Sequence, residues 1–189
     1  NGTASWTISF YIKLKENPSF IVWKGDYFAS NYLTISTDAT GDISIWGADG
    51  GVTTINTKWP TDLALNTWYQ VTITSKGADT NRVNNCYING VAYIASANTT
   101  VLSSQDLESH TGTALLKLGA LHTLASYEMH LDDVASWSID LSSTSAAAIY
   151  THHTYTSSSG NYTDQTRLNL WYPFDDGQNN LSNPTTAAN

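Results

Sequence analysis

Alternation with a period of two runs through most of this chain, and no other feature restricts its fold as much. Trp6, Ile8, Phe10, Ile12 and Leu14 alternate with Thr7, Ser9, Tyr11 and Lys13, so one face of an extended strand is apolar and the other polar. Asn17-Pro18 closes the run, because Pro has no N–H to give to a ladder. Further strands are predicted over 20–24, 32–37, 42–46, 51–57, 66–75, 115–118, 127–137 and 167–174, separated by turn residues such as Gly25, Gly41 and Gly47. Residues 83–94 read as a hairpin about Asn89-Gly90, a pair that accepts the positive φ angles of a tight turn. One short helix is expected near 142–150, capped by Ser142 or Ser143 and propagated by Ala146 to Tyr150. The pattern predicts an all-β, antiparallel β-sandwich over 1–151. A Ser/Thr-rich loop, a returning strand at 166–174 and a polar tail follow over 152–189.

The 189 residues suit one sizeable core. Charged residues make up 13% of the chain, about half the usual quarter, and Ser, Thr and Asn take their place. The net charge is -8 with no basic run, which argues against nucleic acid, whose phosphates are bound by Lys and Arg. An anionic membrane surface is disfavoured for the same reason, and no apolar run approaches the roughly 20 residues of a membrane span. Cys86 is the sole cysteine, so no disulfide forms within the chain; its strand neighbours mark it as a small buried hydrophobe. The chain opens at Asn1, as a mature product or a piece of something longer would. Three Asn-x-Thr sequons (Asn1, Asn98, Asn161) are expected by chance in a chain this rich in Asn and Thr.

Several segments in order carry a family resemblance. Met129-His130-Leu131-Asp132-Asp133-Val134-Ala135-Ser136-Trp137, running on to Leu141-Ser142, resembles the closing phrase "x-G-x-I-D-E-V-x-I-Y-x-x-x-L-S" of laminin G-like (concanavalin A-like lectin/glucanase) jelly rolls. The run from Trp6 to Lys13 is similar to the early "F-T-I-S-F-W-V-K" strand, and Ile21 to Asp26 to the "L-x-S-K-G-D" turn. Trp68-Tyr69-Gln70-Val71 followed by Tyr87-Ile88-Asn89-Gly90 is similar to "W-Y-H-V" and "L-Y-V-N-G". The resemblance covers about Trp6 to Tyr150 and implies a jelly roll. The chain departs from the pattern twice: His130 replaces the usual Gly, and no "F-D-G-x-D-D-Y-V" strand precedes Trp6. Leu168 to Phe174 or a neighbouring chain is expected to cover that sheet edge, since bare edges aggregate. Leu168 to Gly177 also resembles the segment that follows such domains in structural proteins of bacteriophage virions.

Candidate sites follow from chemistry. Exposed aromatics stack on sugar rings while amides bind the hydroxyls; Trp23, Tyr27, Asn31, Trp46 and Trp59, beside turns, are the candidate carbohydrate-binding residues. Calcium takes six to eight oxygens from Asp, Asn and loop carbonyls, and Asp26, Asp132 and Asp133 are its candidate ligands, with Asn31 and Asp79 of the right type. Asp132 has a second reading, as an acceptor for backbone amides at a bulge. Glu128, His130 and Asp132 share a strand face and could hold a transition ion, with His122 or His152-His153 adding ligands. The same face is the nearest match to the family's glycosidase motif "E-x-D-x-x-E", in which paired carboxylates do the chemistry.

These features support a non-catalytic recognition module that binds a glycan at a virion or cell surface, extracellular in location. A structural virion or appendage domain assembling with neighbouring subunits or as a homo-oligomer stands second, and a glycoside hydrolase third.

Overall fold

The computed structural model describes residues 5–26, 31–49, 52–76, 82–99, 116–119, 127–151 and 168–172. Their strands are β1 (Trp6–Leu14), β2 (Ser19–Asp26), β3 (Asn31–Thr37), β4 (Ile43–Asp49), β5 (Val52–Trp59), β6 (Trp68–Lys76), β7 (Val83–Ile88), β8 (Val91–Tyr93), β9 (Ala97–Thr99), β10 (Leu116–Leu118), β11 (Met129–Trp137) and β12 (Leu168–Tyr172). A helix, α1 (Ser143–Thr151), lies between β11 and β12. The first sheet has the order β12-β11-β1-β6-β7-β8 and the second β10-β2-β3-β4-β5-β9. Every described pairing is antiparallel. The all-β sandwich expected from the alternation is the fold observed.

The alternation places the core. Ile8, Phe10, Ile12 and Leu14 of β1 meet Val71 and Ile73 of β6, Cys86 and Ile88 of β7 and Val134 of β11 on the inner side of the first sheet. Ile21, Val22, Ile35, Ile43, Ile45, Ile55 and Trp59 line the inner side of the second. Burying such side chains contributes about 1.5–3 kcal/mol each before the cost of ordering the chain. Polar atoms at the rim of this layer pair across it: Asn84 Nδ2 donates to Thr57 Oγ1 at 3.0 Å, joining β7 to β5. Cys86 is fully buried, and burial pushes its thiol far above the ordinary range.

Two features differ from the sequence reading. β9 was not expected, because Ala-Asn-Thr carries no alternation; it forms where Ser96 N donates to Lys58 O and pairs with β5. The outer face of β1 is also more deeply covered than a half-buried strand implies. Thr7 and Ser9 are buried because the chain after β11 folds back across them. Thr7 Oγ1 donates to Ile139 O (2.8 Å) and accepts from Leu141 N (2.9 Å). Ala135, Trp137, Leu141 and Ile149 form a small second core there. Ser142 Oγ caps the helix by accepting from Ser145 N at 3.1 Å, and β12 pairs with β11, covering the edge that the sequence left bare.

The turns use the residues their backbones require. Asn89 (φ 51°) and Gly90 (φ 75°) form the expected tight hairpin, and Asn89 Oδ1 accepts from Gln70 N. Gly41 has φ 88°, and its carbonyl accepts from Leu63 N and Thr61 Oγ1. A Cβ there would run into the Leu63 backbone, with the amide nitrogen 2.8 Å away. Gly119 has φ 67°, but a Cβ on it meets only the Met129 side chain at 3.7 Å or more. In urea unfolding, Gly41→Ala is expected to cost roughly 3 kcal/mol, from the left-handed backbone and the clash together. Gly119→Ala is expected to cost about 1 kcal/mol, from the backbone alone. Equal costs would contradict this packing.

Candidate functional site on the outer face of the second sheet

Inward residues fix which residues face out. Leu33 and Ile35 of β3 pack against or within the core, as do Ile43 and Ile45 of β4, so 32, 34, 36, 44, 46 and 48 lie on the opposite face. Register then assembles two cross-strand rows. Position 23 pairs with Thr34, Thr34 with Trp46, and Trp46 with Asn56. Beside it, Phe20 pairs with Ser36, Ser36 with Ser44, and Ser44 with Lys58. At about 4.8 Å per strand, each row spans about 14 Å.

Trp46 is 38% exposed. Its ring meets Tyr32 edge-on, centroids 5.3 Å apart at 73°, a geometry that favours a fixed indole. Tyr32 itself is buried with Ala48 and packs with Phe20. Polar groups flank the indole. Asn56 is exposed, Ser36 and Ser44 share a hydrogen bond of 3.1 Å, and Thr34 Oγ1 donates to Val22 O. At the end of the rows Lys58 Nζ contacts Asp38 Oδ2 (2.6 Å) and Asp42 Oδ2 (2.9 Å). Asp38 Oδ1 accepts from Thr40 N, Thr40 Oγ1 and Asp42 N, which closes the β3–β4 turn. Burial pushes the Asp38 carboxyl up, but the Lys58 ammonium, the Thr40 hydroxyl and the two backbone N–H groups outweigh it and hold it well below the carboxylate range. The two carboxylates push Lys58 up to about 12.

The sequence-derived residues divide. Positions 23 and 46 come together in one row; Asn31 pairs with Asp26 where β2 and β3 meet, and Tyr27 lies outside the described residues. Trp59 is a correction: it is fully buried in the main core, inward with Ile55 and Thr57, and has no face to offer a ligand. Its nearness to the Trp59-Pro60 turn suggested exposure, but the period of β5 decides its side. Thr34, Asn56 and Lys58 went unrecognised because the cross-strand register that adds them to the row is not visible in local sequence.

The three candidate calcium ligands are not brought together as a set. Asp26 ends β2 in the second sheet, whereas Asp132 and Asp133 are in β11 of the first. Asp133 is buried with φ 46° at a bulge between β1 and β11, and its N–H donates to Asp132 Oδ1 at 2.9 Å. The acidic pair thus shapes a bulge, a backbone conformation that Asp tolerates better than most residues. Among the described residues no three His, Cys, Asp or Glu side chains gather as a metal site. Asp79, His122, His152 and His153 lie outside the described residues. Glu128 is exposed and its N–H donates to Glu16 Oε1.

Sheet order, jelly-roll core and an aromatic-polar outer face define a lectin-like β-sandwich. Residues 1–147 match the family profile of the concanavalin A-like lectin/glucanases superfamily, laminin G type, and the chain belongs to that family. No curated protein matches it. Solved structures of similar fold include the CBM40 of the Ruminococcus gnavus IT-sialidase, bound to α2,3-sialyllactose. It has TM-score 0.60 and 13% identity, over 79% of this chain and 84% of that one. A SAP-like pentraxin from Limulus polyphemus gives 0.53 and 16%, over 77% and 69%. Domain 4 of a GH43 extracellular arabinanase from Geobacillus stearothermophilus, in complex with arabinotriose, gives 0.54 and 13%, over 77% and 66%. At these identities the likeness is one of fold.

The Asp38–Lys58–Asp42 cluster predicts a signature in acid. Because the Asp38 carboxyl is depressed when folded, its contribution is present above its ordinary value of 3.8 and is lost as the pH falls below that. Asp38→Asn is expected to lower the urea midpoint at neutral pH and to converge with the unmodified protein toward about pH 2. Parallel curves would contradict the ion-pair geometry.

Proposed function

We propose that this protein is a non-catalytic glycan-binding module, and that it binds through the Trp46 row of the second sheet. The observation that carries the reading is an exposed indole, braced by Tyr32, in one row with the exposed Asn56 and beside the half-buried Ser36 and Ser44. A sugar ring offers C–H faces to the indole and hydroxyls to amides and hydroxyl groups, which is what this surface can satisfy. Two of the similar folds, from a sialidase and an arabinanase, are solved with an oligosaccharide bound, which supports the reading by analogy. An extracellular or virion-surface location suits the weakly charged, hydroxyl-rich composition, and among the described residues no helix is long and apolar enough to cross a membrane. The tail resemblance supports a virion role. Calcium enters as a variable of the binding test.

A second reading, assembly with neighbouring subunits or as a homo-oligomer, is favoured by one observation. β8 is the last described strand of its sheet, and Val91 (63% exposed) and Ile94 (89%) are open beside it. Edges of this kind invite pairing with another chain.

On a glycan array, with and without calcium, the protein is expected to bind at least one oligosaccharide class. Trp46→Ala is expected to weaken that binding by tenfold or more while changing stability by less than about 1 kcal/mol. Trp59→Ala is expected to cost roughly 3–5 kcal/mol of stability. Undiminished binding by Trp46→Ala would overturn the site, and an array without any binder would overturn the function.

A further inference from the structure

A second aromatic row lies on the opposite side of the molecule, on the outer face of the first sheet. Register sets His130 beside Lys13 and Lys13 beside Trp68, across β11, β1 and β6. Lys13 Nζ is 5.3 Å from the centre of the Trp68 ring, within cation–π range. The Trp68 and His130 rings meet edge-on at 6.2 Å. Two neighbours thus hold the indole, yet Trp68 remains 44% exposed, more than Trp46. The next row along the strands brings Asp132 opposite Tyr11 and Tyr11 opposite Gln70. On the other flank Lys15 Nζ donates to Asn66 Oδ1 at 3.0 Å, and Glu128 is exposed. His130 stands where the family resemblance expects Gly, and its ring completes the row.

We propose that the Trp68–Lys13–His130 row is a second saccharide site, selective for a neutral sugar unit; this rests on the reading of the module as glycan-binding. The indole supplies a flat apolar surface. Lys13 is a donor and the Asp132 carboxylate an acceptor, so the hydroxyls of a sugar find partners of both kinds. Lys13 and Lys15 are balanced by Asp132 and Glu128, so the patch holds no excess positive charge to select an anion. A purely apolar partner would bury these charges without partners, at a cost of several kcal/mol. Sites on both outer faces make the module bivalent, which raises its avidity for a multivalent surface.

The test is a titration of the ¹⁵N-labelled protein with lactose, arabinotriose and cellotriose, following tryptophan indole N–H signals assigned through Trp68→Phe and Trp46→Phe. The proposal expects saturable movement of the Trp68 signal by at least one of these sugars, kept in Trp46→Ala. Lys13→Gln, which leaves the ring in place, is expected to weaken that titration by roughly threefold to tenfold. Movement at Trp46 with none at Trp68 would overturn the second site and leave the first. Movement at neither would overturn both, and a Trp68 titration unchanged by Lys13→Gln would overturn the role given to the row.

Discussion

Everything on the outside of this molecule depends on the apolar layer between its sheets. In a strand, moving the register by one residue exchanges the two faces. Ile35, Ile43, Ile45 and Ile55 are fully enclosed, and turning them outward would cost about 1.5–3 kcal/mol each. That penalty turns Thr34 and Trp46 toward the outer face, where Trp46 stays exposed, and keeps Trp59 inside. The candidate sugar surface is therefore a by-product of core packing, a row of outward residues that the core does not need.

The two sheets use their outer faces differently. Part of the first sheet is roofed by the loop after β11 and by α1, fastened through the Thr7 hydroxyl, which serves Ile139 O and Leu141 N together. Beneath that roof Gln70 Nε2 donates to Ser9 and Thr72, which ties β6 to β1 through a buried polar stripe. Gly90 lies against α1, where a Cβ would come within 3.0 Å of Ala147 Cα. The roof leaves open the row at Lys13, Trp68 and His130. On the second sheet the Trp46 row is bordered by the Asp38–Lys58–Asp42 cluster, which fixes the β3–β4 turn at its end.

Much of the fold was legible because period two is a local signal. β1, β6, the Asn89-Gly90 hairpin, α1 and the return of β12 follow from residues a few positions apart. Identifying the site needed more. Trp59 stands beside Pro60, a turn position that suggests exposure, although its parity with Ile55 places it inside. Asp132 and Asp133 carry ligand-like oxygens, yet the bulge opposite Phe10 uses them to shape backbone. Asn56 and Lys58 became neighbours of Trp46 and Ser44 only through β4–β5 pairing. Trp68 and His130 are 62 positions apart in sequence and meet because β1 stands between their strands.

The sidedness of the tryptophans tests this account most directly. With a soluble paramagnetic agent, indole N–H signals of Trp46 and Trp68 should broaden strongly while those of Trp59 and Trp137 stay sharp. Broadening of Trp59 to match Trp46 would mean that β4 and β5 do not present the faces described, and the account would fail with them.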